Sequence, residues 1–225
     1  MQTEILPANH PSALTHALDV LNHGGLVAFP TDTVYGLAAP VFNANSIERL
    51  YIVKGRNHSK AIAVLLSGAE QLDQIAINVS ENALRLAQRF WPGPLTLIVP
   101  RHPALPKILA PESTIGVRVP DHPVALSLLN LTGPLAVTSA NQSEKKNART
   151  AREVMAQLNG RIHLILDGGK TPGGVPSTVV DCTTLEVKIL RPGPLNCKTI
   201  FQIVLPAYNS ESGQVGIASI SNESR

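Results

Sequence analysis

Thr31, Asp32 and Thr33 follow an apolar run, Leu26-Val27-Ala28-Phe29, and Lys54, Arg56 and Lys60 come one short helix later. Open α/β sheets gather ligand contacts where loops leave the strand ends, because those loops converge on one edge. Fixed cations on the next loop can then meet a phosphate or carboxylate held there. Three further segments repeat this composition beside small residues: Ser113-Thr114 through Arg118, Thr138-Ser139-Ala140-Asn141, and Pro176-Ser177-Thr178 through Arg191. The pattern predicts a site for an anionic small molecule.

Each residue also has a plainer reading. Lys54 can serve as a cation at a helix C-terminus, worth about 0.3–1 kcal/mol through the helix dipole. Arg56 and Arg191 can be solvated loop charges. Thr31, Thr33, Ser139, Asn141 and Ser177 are residues that turns favour. Arg118 interrupts the apolar run Ile115-Gly116-Val117-Arg118-Val119. A buried arginine there needs an anionic partner, whereas one on the solvent side of the strand does not. No Asp or His is placed to turn any of the hydroxyls into a nucleophile. They therefore read as binding groups, with the chemistry left to positioning and charge stabilisation, as in phosphoryl and nucleotidyl transfer.

Other motifs fail on spacing. Gly168-Gly169-Lys170-Thr171 looks like the end of a phosphate loop, but Leu164 stands where the first glycine is required. The seven histidines are scattered, so no protein metal site is expected. Cys182 and Cys197 have neither redox nor metal spacing and read as a reduced pair.

Alternating helices and strands must position these groups. Leu14, Ala17, Leu18 and Leu21 form a helical stripe ended by Gly24-Gly25. Asn45 with Glu48 predicts a cap for the next helix, and Ala61–Leu66 a buried strand. Ser80 caps a helix ending near Trp91, with Leu95–Val99 as the strand that follows. Strands at Ile115–Val119, Leu135–Thr138 and Ile162–Leu166 alternate with helices at Val124–Leu131 and Ala151–Leu158, the latter capped by Thr150 with Glu153. Thr178–Cys182 and Val187–Leu190 are too close for a helical crossover, so they should pair antiparallel and make the sheet mixed. Residues 1–205 read as one domain and 206–225, rich in Ser, Asn, Gly and Glu, as a flexible polar tail.

Composition bounds the function classes. The 225 residues are 44% apolar, with net charge +3 and a pI near 9.0. That is an ordinary globular balance, which permits nucleic-acid binding without arguing for it. No apolar run reaches the roughly 20 residues a membrane span needs, and the N-terminus lacks the basic and apolar regions of a leader. No membrane association and a cytoplasmic location are expected.

Taken in order, the segments resemble the YrdC-type threonylcarbamoyl-AMP synthase family. The likeness covers about residues 10 to 195: Pro30-Thr31-Asp32-Thr33-Val34-Tyr35-Gly36-Leu37, Lys54 and Arg56, Trp91-Pro92-Gly93-Pro94-Leu95-Thr96, and Val117-Arg118-Val119-Pro120-Asp121-His122-Pro123. Ser139 with Asn141, Ser177-Thr178-Val179-Val180-Asp181 and Leu190-Arg191-Pro192-Gly193 complete it. The resemblance implies a twisted, open, mixed α/β sheet flanked by helices around a basic concave cavity, in the short single-domain form. It implies that L-threonine, bicarbonate and ATP, with Mg²⁺ accompanying the nucleotide, give threonylcarbamoyl-AMP and pyrophosphate. The product would pass to a downstream tRNA-modifying threonylcarbamoyltransferase complex acting on adenosine 37. By position, Lys54 and Arg56 are implied as catalytic, and Arg56, Lys60, Thr114, Ser139, Asn141, Asn147 and Arg191 as ATP contacts. Thr31, Thr33, Arg118, the Val137 backbone and Ser177 are implied as threonine contacts; Asp32 is a candidate water-mediated contact to the Mg²⁺ that accompanies the nucleotide. The chain departs from the family pattern at Leu65, where many members have histidine, at Asn57 after Arg56, where proline is usual, and at Asn147, often serine. Two other readings compete: a non-catalytic RNA-binding module of the same fold with weak RNA binding, and a carbamoyl-transfer domain. The few aromatic residues form no stacking stripe to favour the RNA module, and the zinc motifs that accompany the carbamoyl-transfer domain are missing from this sequence.

Overall fold

Period-two alternation along the strands decides how the sheet divides its two faces. The computed structural model describes residues 2–110 and 112–204. Ten strands form one sheet: β1 (Glu4–Pro7), β2 (Val27–Phe29), β3 (Gly36–Pro40), β4 (Ala63–Leu65), β5 (Leu95–Pro100), β6 (Thr114–Arg118), β7 (Leu135–Ser139), β8 (Leu164–Asp167), β9 (Thr178–Asp181) and β10 (Lys188–Arg191). Their spatial order is β1-β8-β2-β3-β7-β4-β6-β5-β9-β10. The β1–β8, β2–β8, β4–β6 and β5–β9 pairs are parallel and the others antiparallel, so the open sheet is mixed. Among the described residues six α-helices flank it: α1 (Ala13–Asn22), α2 (Ala44–Lys54), α3 (Glu81–Phe90), α4 (Pro123–Thr132), α5 (Ala151–Leu158) and α6 (Cys197–Val204).

One face is fully covered. Ile62, Val64, Leu95, Leu97, Val99, Ile115 and Val117 pack in a single apolar cluster with Ile47, Leu50 and Tyr51 of α2, Leu86 of α3, Val154 of α5 and Ile200 of α6. On the other face α1 and α4 bring Ala17, Leu21, Leu128 and Leu129 onto Val27, Phe29, Ala38, Leu135 and Leu164. Those two helices cover only the β8-β2-β3-β7 half of that face. Leu65 of β4 still packs at the edge of this second apolar cluster, and with residue 63 of β4, 96 and 98 of β5, 116 and 118 of β6, and 179 of β9 on the same face it lines a cavity.

Several local expectations shift. Helix α2 begins at Ala44 and is capped by Asn43, whose side chain accepts from the Ser46 N–H at 3.1 Å; Asn45 lies inside the helix. The caps at Ser80 and Thr150 do form, each accepting from the N–H three residues on. In α1 the buried stripe is Ala13, Ala17 and Leu21, with Leu14 and Leu18 only partly buried. The 61–66 strand shortens to β4. Strands β1 and β3 and helix α6 were not expected: β3 starts at Gly36, within the last residues of what reads as a hydroxyl-rich turn motif, and pairs antiparallel with both β2 and β7. The expected antiparallel β9–β10 pair is present, with a register irregularity between Ile189 and Arg191. Cys182 and Cys197 are free thiols. The expected polar tail at 206–225 lies outside the described residues.

Candidate functional site

The uncovered half of the sheet forms the floor of a cavity of about 340 Å³. Small residues keep it open. A Cβ on Gly116 would stand 3.2 Å from Thr96 Cγ2, 3.4 Å from Ile98 Cδ1 and 3.5 Å from the Ala63 methyl. Gly116→Leu is therefore expected to fold with a loss of about 1–3 kcal/mol from overpacking while closing the floor to any ligand. Thermal melting and calorimetric titration of the same sample would separate the two effects.

Three arginines enter the space from separate elements: Arg56 from the loop after α2, Arg118 from the end of β6, and Arg191 from β10. Among the described residues no carboxylate lines it. Arg118 is only 6% exposed. Its Nε donates to the Gly93 carbonyl at 2.9 Å, Nη1 donates to Thr33 Oγ1 at 3.0 Å, and Nη2 donates to Asp32 Oδ1. Burial pulls its pKa down and the Asp32 charge opposes that. The anionic partner a buried arginine requires is thus Asp32, inside the protein. A guanidinium has five N–H donors, so with three engaged, one N–H on each Nη remains for a ligand.

The other two arginines are held by carbonyls. Arg191 donates to Ser177 O through Nε at 3.1 Å and Nη2 at 2.9 Å, and through Nη2 to Ser177 Oγ at 3.2 Å, leaving Nη1 uncommitted. Gly193 makes this possible: a Cβ there would sit 2.3 Å from the Thr178 N, so only glycine lets the chain after β10 close on β9. Arg56 donates to Lys60 O at 3.1 Å and Ala61 O at 2.8 Å. Burial lowers the pKa of both. Three positive groups in a partly desolvated cleft favour an anion. Hydroxyls line the same space: Thr31 Oγ1 and Thr33 Oγ1 are 3.0 Å apart, and Thr31 Oγ1 donates to Val34 O at 2.7 Å.

Of the residues singled out by sequence, Thr31, Thr33, Arg56, Arg118, Val137, Ser139, Asn147, Ser177 and Arg191 are brought together on the cavity wall. Four are not. Lys54 is buried behind the wall, where its ammonium donates to the Ser139 and Asn141 carbonyls. Burial, with Arg56 beside it, pushes its pKa down to about 7. Asn141 is buried with its amide donating to the Gln142 and Lys145 carbonyls at 2.7 and 2.8 Å. Lys60 lies at the surface, 3.7 Å from Glu144. Thr114, at the far end of β6, borders a separate groove with Arg101, Ser113 and Thr183. Asp32, read as a water-mediated contact to Mg²⁺, is paired with Arg118 and is not among the residues lining the cavity.

The sequence reading passed over Thr96, Ile98 and its cross-strand partner Gly116, all of which line the cavity. The signal was present: Leu95, Leu97 and Val99 face the core, so Thr96 and Ile98 must share the opposite face.

The family model Sua5_yciO_yrdC, described as telomere recombination, matches residues 19–193. The chain is 40% identical to the threonylcarbamoyl-AMP synthase of Pyrococcus abyssi over 190 residues, which is 84% of this chain and 56% of the relative. It is 40% identical to that of Bacillus subtilis over 209 residues, 92% of this chain and 60% of the relative. The chain thus spans little more than half the length of these relatives. Among solved structures, P. abyssi Sua5 complexed with L-threonine superposes with a TM-score of 0.86 at 38% identity, covering 89% of this chain and 61% of that one. Escherichia coli YciO gives 0.79 at 26% identity, covering 88% and 99%.

Proposed function

Because the chain belongs to the Sua5–YciO–YrdC family, we propose that it is a threonylcarbamoyl-AMP synthase that converts L-threonine, bicarbonate and ATP into threonylcarbamoyl-AMP and pyrophosphate. The observation that carries this reading is the three-arginine cavity without a lining carboxylate or an activated nucleophile, in a chain so similar to synthases. The threonine amine condenses with bicarbonate, releasing water and leaving a carbamate. A carbamate oxygen then attacks the α-phosphorus of ATP, the bond to the β-phosphate oxygen breaks, and pyrophosphate leaves. Attacker and target are both anionic, so the step requires fixed cations at both, held in place before reaction.

Arg118 and Thr33, joined at 3.0 Å, form the carboxylate or carbamate end of the site together with Ser177. Arg56, Ser139 and Asn147 take the nucleotide, with Arg191 between the two ends. Lys54 contributes by fixing the Ser139 and Asn141 carbonyls. Mg²⁺ would be carried by the nucleotide's phosphates, whose charge it would help neutralise. Among the described residues no cluster of three or more His, Cys, Asp or Glu is arranged to hold an ion, which suits an ion that keeps waters and phosphate ligands. Cytoplasmic action on behalf of a tRNA-modifying threonylcarbamoyltransferase complex follows from this reading. Among the described residues no helix is long and apolar enough to cross a membrane.

The purified chain is expected to release pyrophosphate from ATP only when both threonine and bicarbonate are present, and to carry labelled bicarbonate into an adenylate seen by mass spectrometry. No labelled adenylate at any Mg²⁺ concentration, with salt-dependent RNA binding in its place, would reject the synthase in favour of an RNA-binding module.

A further inference from the structure

Thr96 is a buried hydroxyl, 7% exposed, on the β5 strand that separates the β6 end carrying Arg118 from the β9 end carrying Ser177. Leu97 pairs with Val117 across β5 and β6, so the register places Thr96 beside Arg118. On its other side Thr96 Oγ1 stands 2.8 Å from Ser177 Oγ. Thr96, Arg118 and Ser177 all line the cavity.

The protons in this row can be counted. Ser177 Oγ accepts one hydrogen bond, from Arg191 Nη2 at 3.2 Å. A hydroxyl has two acceptor positions and one proton. One proton lies between Thr96 and Ser177, and the other hydroxyl proton has no partner among the described residues. If Ser177 donated to Thr96, the unpartnered O–H would be that of Thr96, and the Ser177 oxygen would keep an unshared lone pair that an anion gripped by Arg118 would repel. If Thr96 donates, Ser177 accepts twice and its own O–H is left to point at the ligand. Accepting from a guanidinium also strengthens that O–H as a donor.

We infer that Thr96 is a positioning residue for the proposed reaction: it donates to Ser177 and so fixes the Ser177 hydroxyl as a donor toward the carboxylate or carbamate oxygen held by Arg118. The inference rests on the synthase reading for the identity of the anion, but not for the geometry. It makes Thr96, Ser177 and Arg191 one unit in which the hydroxyl that meets the ligand is oriented by two residues that need not touch it.

The test uses the full chain with Thr96→Val, Thr96→Ser, Ser177→Ala and the Thr96→Val/Ser177→Ala double variant. Valine keeps the shape and removes the donor. Thr96→Val should raise the KM and Kd for threonine about tenfold or more, the scale of a lost hydrogen bond to a charged group, with ATP affinity unchanged. Thr96→Ser should lie within about twofold of the parent, and the double variant should bind no worse than Ser177→Ala alone. A role confined to packing would instead move threonine and ATP together and would not be rescued by serine. Parental threonine binding by Thr96→Val, or losses that multiply in the double variant, would overturn the inference. A parent chain that binds no threonine would reject the synthase reading, and the same cycle is then read with bicarbonate and with inorganic phosphate. If neither anion responds to Ser177→Ala, the inference fails on its own account.

Discussion

Arg118→Met is expected to destabilise the protein by about 3–5 kcal/mol, the scale for removing one partner of a buried ion pair, and to abolish threonine binding. The side chains of Arg118 and Asp32 are 7% and 12% exposed, so losing the guanidinium leaves a carboxylate with little water around it. It also removes the donor to the Gly93 carbonyl, in the turn that leads into β5. Adding Asp32→Asn should return most of the lost stability, because a neutral amide no longer needs a cation. It should return none of the binding. Arg118→Lys separates the two roles in another way: it keeps the charge but cannot reproduce a fork reaching Asp32, Thr33, Gly93 and a ligand at once. Its threonine affinity should fall by about 2–5 kcal/mol, with ATP binding in the absence of threonine little changed. Urea denaturation and calorimetry on the same preparations give both numbers. If folded Arg118→Lys binds both substrates as the parent does, Arg118 is an internal ion-pair partner and the amino-acid site lies elsewhere.

That dual burden explains what the sequence could and could not disclose. Arg118 inside an apolar run announces a buried charge, and its demand for an anion is real. The anion turns out to be Asp32, 86 residues away in the chain, a pairing that only the topology supplies. Strand-end hydroxyls and loop cations were legible because their types and places follow from local chain direction. Thr114 and Lys60 have the same local signature but lie away from the cavity: Thr114 shares a face with Gly116 and Arg118 yet stands at the opposite end of β6, and Lys60 sits at the surface beside Glu144, distances that local sequence does not set. Strand β3 was illegible for a similar reason. Gly36 to Pro40 has no alternation, because β3 is a central strand whose faces are both buried, Leu37 and Ala39 in the cluster with α2 and Ala38 in the cluster with α1, and the glycine and proline at its ends read as turn residues.

Lys54 carries the remaining large effect, and its sign can be worked out. Burial first, and then the nearby Arg56 charge, lower its pKa from 10.5 to about 7. Below that value both folded and unfolded chains hold the proton, and the fold bears the full cost of a buried ammonium. Between about 7 and 10.5 the unfolded chain holds one more proton than the folded one, so stability rises with pH, by about 1.4 kcal/mol per unit at most. Above 10.5 both are neutral and the contribution is flat. A neutral amine still has two N–H groups, enough for the Ser139 and Asn141 carbonyls. Lys54→Met should therefore lose this slope: its deficit against the parent should be smallest below pH 7 and widen steadily toward pH 10. Denaturation midpoints at fixed ionic strength across that range would show it, and parallel curves for the two proteins would place the Lys54 titration outside the window. On the synthase reading the same lysine also reports on the nucleotide. Phosphates drawn to Arg56 offset the charge that helps hold Lys54 down, so ATP binding near pH 8 should be accompanied by proton uptake, measured as a buffer-dependent calorimetric heat. In Lys54→Met that uptake should vanish even where binding survives, because the proton has no other buried amine to occupy beside Arg56.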